Sequence, residues 1–514
     1  MALITRNEAA RQKLWRRILI LSSAGVALLL IPIILTIMDP MFIIAKYKFR
    51  LSNGSILHEL LQSEMEGGRF AVYLFNITNA DRFMNGEDHK LKLEEIGPFT
   101  YVEYRNHDNL NLSTPGEMSY TPRLRSEFIP EESVADPRDV PIAMPNIPML
   151  SATTIVHSSP QFVRDVYSML VHQFKSTAIV KMDANQYLWG YRDPVLTVAN
   201  TLAPGLIHFS TTGIMDRLYD NGTKYRVVLG TKETDKFQLK TVTKFRNAEV
   251  WNTDDIPESV TTFNDTYEGM AYPPMLTEAT PINIYRLGIC KSFNMEVCGR
   301  KTSEYGPNAF VYKFRDQMFY NERLCNSTGY CPDGLMDMSQ CFYGLPMGMS
   351  KGHFLDADPA LMERIEGLKP DPEKHSSHIV IEPKIGLTLE TSMSIQVNIM
   401  VGDVRYNSDA RRFSDMVVPI AHFKISQPQL PAIAITALKF IYITMPKVLF
   451  SLQIALVIIG LILLGYSAKL LYWQILQNID TDLPKHEIKT DAPLLVTKDH
   501  AIKEHGSRGL LLIK

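Results

Sequence analysis

"HIVIEPKIGLTLETSMSIQVNIMV", residues 378–401, puts Ile379 and Ile381, then Ile385, Leu387 and Leu389, then Met393, Ile395, Val397, Ile399 and Val401 at every second position. Successive strand side chains point to opposite faces, so this alternation predicts a sheet with one face buried. Outward from it, "KYRVVLG" (224–230) and "FQLKTVTKF" (237–245) read as a strand pair joined by a short polar loop. Frequent Pro, Gly and Asn punctuation fits an antiparallel, loop-rich architecture. Helical patterns are few. The best is "SSPQFVRDVYSMLVHQFKSTA" (158–178), where Ser159 can cap and Pro160 suits the first helical position. Phe162, Val166, Met169, Leu170 and Phe174 would form its apolar stripe, with Arg164, Asp165, His172 and Lys175 off it. A second candidate, "SILHELLQSEME" (55–66), carries Ile56, Leu57, Leu60 and Leu61 on one face. No internal repeat or low-complexity segment is seen.

Two apolar runs bracket this middle. Ile18–Met38 and Val448–Ala468 are each 21 residues without a charge, enough to cross a hydrocarbon core of about 30 Å at about 1.5 Å per residue. The first exceeds a signal-peptide core, and Met38-Asp39-Pro40 offers no small-residue cleavage site, so it reads as an uncleaved anchor. Pro32 inside it is tolerable in a bilayer helix. Arg6, Arg11, Lys13, Arg16 and Arg17 precede it against one acid, Glu8, which favours a cytoplasmic N-terminus; Lys46, Lys48 and Arg50 on the other flank weaken that signal. Six glycosylation triplets, beginning at Asn53, Asn76, Asn111, Asn221, Asn264 and Asn326, all lie between the runs. The expected organisation is a cytosolic N-tail (1–17), a first span (18–38), a glycosylated extracellular or luminal domain (39–447), a second span (448–468) and a cytosolic C-tail (469–514).

The chain has 514 residues and a net charge of −2, with no dominant basic patch, which argues against a nucleic-acid partner. All five cysteines fall in the outer domain, where disulfides persist. Gaps of seven residues between Cys290 and Cys298, five between Cys325 and Cys331 and nine between Cys331 and Cys341 do not suit zinc, and no histidine sits at ligand spacing among them. The stretch Cys325–Cys341 therefore reads as a disulfide-pinned loop, and an odd number of cysteines leaves at least one unpaired. "GMSKG" (348–352) matches the serine-hydrolase pattern around Ser350, but its surroundings read as antiparallel strand and loop rather than a strand-to-helix elbow. The thirteen histidines look scattered. No metal, cofactor or catalytic residue is expected, and the chain is not read as an enzyme.

Specific stretches resemble the class B scavenger receptor family, which includes fatty-acid translocase, lysosomal integral membrane protein and the sensory neuron membrane proteins. They are "YLFNITNADRF" (73–83), "EEIGPFTYVEY" (94–104), "YLWGYRDPVLT" (187–197), "GICKSF" (288–293), "GHFLDADPAL" (352–361), "IEGLKPDPEKH" (365–375) and "IEPKIGLTLE" (381–390). The resemblance implies a mainly β fold with a helical cap (α+β): an antiparallel, β-barrel-like ectodomain with an apolar tunnel, anchored by two transmembrane helices. It implies that the helix from Pro160 belongs to the cap, where Arg164, Lys175 and nearby Lys181 would present cations to ligand. The lysosomal branch has a histidine near the start of this helix; Gln161 stands there, so a pH switch is not carried over. The resemblance also implies bridges Cys290–Cys341 and Cys325–Cys331, leaving Cys298 odd, because no cysteine lies near 254–256 to complete a third bridge.

The C-tail carries "DAPLL", in which Asp491, Leu494 and Leu495 fit an acidic dileucine sorting signal. No cysteine adjoins either span, so lipidation there is unsupported. The resemblance implies a receptor for lipids or lipoprotein-like carriers that passes fatty acid, sterol or carotenoid through the tunnel to the membrane. The alternative is a non-transporting receptor: a lysosomal sorting receptor for a protein bound at the cap, a phagocytic receptor, or an odorant or pheromone co-receptor. Sorting adaptors are expected partners of the tail. The expected location is the plasma membrane, the endosome–lysosome, or both.

Overall fold

The structure, a computed structural model, describes residues 2–202, 210–219, 223–246, 257–269, 271–289, 291–319, 332–339, 342, 344–427, 430 and 432–482. The chain divides into two compact units, one of Met1–Ile37 with Phe450–Lys514 and one of Met38–Leu449.

The first unit is built from two helices, Ala2–Met38 and Met445–Asp482. Both are long and apolar enough to cross a membrane. They approach closely at glycine: a Cβ on Gly460 would lie 3.0 Å from the Gly25 carbonyl, and one on Gly25 would lie 3.0 Å from the Gly460 carbonyl. Small residues permit this, because lipid-facing helices associate through backbone proximity and interhelical hydrogen bonds. Gln453 supplies one such bond, its Nε2 donating to Thr36 Oγ1 at 3.1 Å. Ser467 supplies another, its Oγ donating to the Ile18 carbonyl at 3.2 Å. Both helices run past the expected spans of 18–38 and 448–468. Their flanks are rich in Leu, Arg, Lys and Gln, which extend a helix readily, and Asp39-Pro40 is the first stop. Asp39 then caps the short helix Pro40–Lys48, its Oδ1 accepting from the Phe42 amide at 3.2 Å.

The second unit is organised by one large sheet. Its strands begin with β1 (Met65–Ile77), β2 (Leu91–Asn111) and β3 (Glu117–Phe128), followed by a separate pair, β4 (Pro141–Pro145) with β5 (Ile179–Asp183). Next come β6 (Thr223–Gly230), β7 (Leu239–Arg246), β8 (Pro257–Thr262), β9 (Thr266–Tyr267), β10 (Ile282–Arg286), β11 (Lys291–Thr302) and β12 (Asn308–Phe314). The last are β13 (Met336–Asp337), β14 (Met347–Lys351), β15 (Ile365–Glu366), β16 (His378–Glu382), β17 (Leu387–Val401) and β18 (Met416–Ser426). Along the main path the order is β8-β7-β6-β3-β2-β1-β18-β17-β16-β12-β11-β10-β9. The expected hairpins are present: β6 pairs with β7 and β16 with β17, both antiparallel.

Two expectations need correction. Barrel-like closure is not reached by a continuous ladder among the described residues; the regions near the two ends of the path meet at one isolated bridge, Gln238–Tyr267. And β17 is not half-solvated: from Met393 to Val401 every residue is buried, including Ser394, Gln396 and Asn398 on the polar face.

The helical cap gathers Ile147–Val156, Gln161–Gln173 and Pro194–Leu202, which contact one another. A buried carboxylate ties its base together. Asp193 Oδ2 accepts from Asn146 Nδ2 at 2.7 Å and from Ser176 Oγ at 2.8 Å, and Asn146 is also the N-cap of the first cap helix. The helix from Gln161 differs from expectation at its start. Pro160 occupies the cap position with no side-chain hydrogen bond, and Ser159 takes no part. Part of its apolar stripe faces outward, with Phe162 76% exposed and Met169 64%, while Val166 and Leu170 are half-buried and Val171 is buried.

Candidate functional site

A cavity of about 900 Å³ lies within the second unit, at the upper end of the range for small-molecule sites, about 300–1,000 Å³. Strand alternation makes its wall. Thr391, Met393, Ile395 and Val397 of β17 point into it, joined by Phe70, Met118, Phe293, Met349 and Phe423 from other strands. Helical segments add Leu57, Leu60, Ala434, Ala437 and Ile441. The period-two pattern in the sequence is therefore the signature of a cavity wall.

Six charged residues also line this wall: Glu64, Glu66, Glu103, Arg105, Glu268 and Arg286. Glu103 is paired with Arg105 at 2.6 Å and accepts from the Tyr219 hydroxyl at 3.2 Å. Glu268 accepts from the Tyr120 hydroxyl. Glu64 pairs with Arg125 at 3.2 Å and Glu66 with Arg69 at 3.1 Å. Burial, and then repulsion from Arg105, push the Arg286 guanidinium below its usual value, against the opposing pull of Tyr272, Glu103 and Glu268; as an arginine it keeps its charge regardless.

The opposite face of β17 meets a second feature that the scattered histidines did not foretell. Glu95 Oε1 lies 2.9 Å from His422 Nδ1 and 3.1 Å from His353 Nε2. His353 stacks on His375 with ring centres 4.2 Å apart. A polar chain continues from both ends. His422 Nε2 meets Ser394 Oγ at 2.7 Å, and the His353 amide donates to Gln396 Oε1 at 2.7 Å. Gln396 then donates to Asn398 at 2.7 Å, and Asn398 to Ser350 Oγ at 3.0 Å. Every buried polar group here has a partner, as burial requires.

The ligand atoms of the three histidines lie within 4.8 Å of one another, close enough to consider a metal. The hydrogen bonds argue otherwise. Backbone amides of Lys369 and Asp371 donate to Nδ1 of His353 and His375 at 3.1 and 3.0 Å. A metal-bound imidazole needs an acceptor at its outer nitrogen, the reverse of this arrangement. The cluster is a hydrogen-bonded strut of three imidazoles around a carboxylate. Burial alone would raise Glu95, but the bonds from His353 and His422 hold it well below the usual carboxylate range. Burial and the neighbouring histidines push His375 down to about 4. Burial also pushes His422 down, against the opposing pull of Glu95.

The sequence-predicted residues are not all brought together. Arg164 is half-buried, its guanidinium 5.8 Å from the Tyr406 ring centre and its Nε without a partner. Lys181 is ion-paired with Asp81 at 3.2 Å, both side chains exposed. Lys175 is exposed, sits at φ 53°, and has no side-chain partner among the described residues. Ser350 is fully buried within β14, an antiparallel strand rather than a nucleophile elbow. Asn53, Asn111 and Asn264 are exposed, whereas Asn76 is half-buried in β1, its Oδ1 accepting from the Ala143 amide at 2.8 Å. Cys298 is an exposed free thiol that donates to the Val311 carbonyl at 3.4 Å. Cys290, Cys325, Cys331, Cys341, Asn221, Asn326, Asp491, Leu494 and Leu495 lie outside the described residues.

Comparison with known proteins adds a lineage to this geometry. Residues 19–471 match the CD36 family. The bovine (Bos taurus) protein "Scavenger receptor class B member 1" is 26% identical, over 77% of this chain and 77% of its own length. "Lysosome membrane protein 2" is 27% identical in Rattus norvegicus, over 73% of this chain and 78% of that protein. The Homo sapiens protein of the same name is 27% identical, over 69% and 73%.

Proposed function

The chain belongs to the CD36 family, and from that premise we propose that it is a class B scavenger receptor-like membrane protein that binds lipids or lipoprotein-type ligands and passes lipid through its outer unit to the membrane. The observation that carries this reading is the apolar cavity of about 900 Å³. Two of its lining residues, Ile44 and Ile441, adjoin the expected spans in sequence, which supports a route between ectodomain and bilayer. Moving an apolar chain out of water supplies the driving force, at about 25 cal/mol per Å², and no chemical step is required. Fatty acid, sterol and carotenoid are the cargo classes that suit such a wall.

On this reading the cap is where a carrier docks. Phe162, Met169 and Phe174 are exposed there beside the exposed Lys175, the kind of apolar patch that marks an interaction site. Both tails would lie in the cytosol, with the glycosylated unit outside or in a lumen. The bridges Cys290–Cys341 and Cys325–Cys331 would pin the outer unit, and Asp491, Leu494 and Leu495 would route the protein between plasma membrane and endosome–lysosome through sorting adaptors.

The same exposed helix face supports a second reading, a non-transporting receptor that binds a protein at the cap. The experiment that separates them is mass spectrometry of the full-length glycoprotein purified in mild detergent. A stoichiometric retained lipid, lost when Ile395 or Val397 in the cavity wall is replaced by Asp, supports the transfer reading. A folded, lipid-free protein that still binds a protein partner through residues 161–175 supports the second.

A further inference from the structure

Every acid on the cavity wall has a partner: Glu64 with Arg125, Glu66 with Arg69, Glu103 with Arg105, and Glu268 with the Tyr120 hydroxyl. Of the two cations there, Arg105 is paired with Glu103. Arg286, the last residue of β10, has neither ion pair nor side-chain hydrogen bond among the described residues.

A guanidinium carries five donors in a rigid fork and stays charged at any working pH. Glu103 and Glu268 act on the Arg286 charge through space without bonding to it, so its donors still lack an acceptor, a cost that falls when one, best an anion, arrives. The glycine opposite leaves little room on one side, since a Cβ on Gly269 would lie 3.3 Å from Arg286 Nη2. The remaining direction is the cavity. We propose that Arg286 is the specificity-determining residue of the cavity, taking the anionic head of a single-chain amphiphile whose tail lies along the apolar wall, in preference to neutral lipids of the same length. This rests on the lipid-binding reading of the cavity. It assigns to one residue the choice between charged and neutral cargo. Hydrogen bonds to a charged group are worth enough to give an anionic head an advantage on the order of tenfold to a hundredfold over its neutral analogue.

The test uses the full-length protein in lipid nanodiscs with cis-parinaric acid, a fluorescent fatty acid, as the probe. Oleate, lysophosphatidate and methyl oleate serve as competitors. The expected result is displacement by oleate at a concentration at least tenfold lower than by methyl oleate. Arg286→Met should abolish that difference, and Arg286→Lys should retain part of it. If lysophosphatidate competes better than oleate, the anion is a phosphate; if oleate is better, it is a carboxylate. Both support the assignment. Equal displacement by oleate and methyl oleate in the wild type overturns it without touching the lipid-cavity reading. No probe binding at all overturns both.

Discussion

Nδ1 of His422 lies 2.9 Å from Oε1 of Glu95, the two residues reaching toward each other from β18 and β2, the strands that flank β1 on either side. Tyr73 of β1 stacks on the His422 ring, and Lys424 is the nearest cation on β18 to add its charge to the cluster. The pair ties three adjacent strands to the His353 and His375 segments through side chains.

This cluster should make stability fall with acidification. A histidine held at about 4, like His375, contributes stability that is complete above its unfolded value near 6.5 and is lost as pH falls towards 4. His422 has the same sign, and Glu95, held low, adds a loss below about 4.5. The His375 contribution is on the order of 3 kcal/mol. Melting temperature measured from pH 7.5 to 4.5 should drop progressively, and His375→Gln should flatten the curve. Parallel curves for the two proteins would show that the cluster does not titrate.

Gly386 should tolerate no side chain. It turns the chain between β16 and β17 at φ 73°, and a Cβ there would lie 2.0 Å from the Tyr272 carbonyl. The Gly386 carbonyl accepts from the Tyr272 amide at 2.9 Å, so neither backbone can move away freely. Gly386→Ala is expected to cost roughly 3 kcal/mol or more. Gly54, at φ 71° with open space around it, should lose only about 1–2 kcal/mol in Gly54→Ala. Thermal melts of the two variants give the comparison.

Lys175 sits where a helix ordinarily ends on glycine. Its amide donates to the His172 carbonyl and the Ser176 amide to the Val171 carbonyl, the paired bonds of a Schellman turn. Lys175→Gly should therefore raise stability by about 0.5–1 kcal/mol. If the ammonium meets an anionic ligand at the cap, the same variant binds acidic lipoprotein several-fold more weakly, whereas Lys181→Ala, which breaks an exposed pair, changes binding little. A binding loss confined to Lys181→Ala would reverse the assignment.

The two apolar helices should separate when their glycines grow. Gly460→Leu is expected to cut the rate of disulfide cross-linking between Ile18→Cys and Ser467→Cys several-fold in membranes. Gln453→Leu, removing a bond worth about 0.6 kcal/mol in such helices, should have a much smaller effect on the same rate.

Local periodicity made much of this legible. The strands at 224–230 and 378–401 and both long helices follow from spacing and length alone. The destination of the polar face of β17 did not, because Ser394, Gln396 and Asn398 look the same in sequence whether they meet water or a distant partner. One hint was available: no charged residue stands on that face between Thr391 and Val401. The histidine cluster was hidden by sequence separation, since Glu95 and His353 are 258 positions apart. For the helix from Gln161 the spacing named an apolar stripe, but amphipathicity does not say what covers such a face, so the exposure of Phe162 and Met169 was not legible. Arg286 had no sequence signal, since nothing local distinguishes a paired arginine from an unpaired one.

The cavity's lining runs in sequence from Ile44 to Ile441 and is shared among many strands and several helices of the second unit. Cargo inside would touch most of those elements at once and would behave as a removable piece of hydrophobic core. A ligand that binds only the folded state adds to its stability by an amount that grows with its concentration over its dissociation constant. Loaded and empty protein would then differ in how readily their strands open, and releasing cargo would loosen the unit that carried it. If the proposed lipid reading holds, lipid supply would in this way set how long the folded unit lasts.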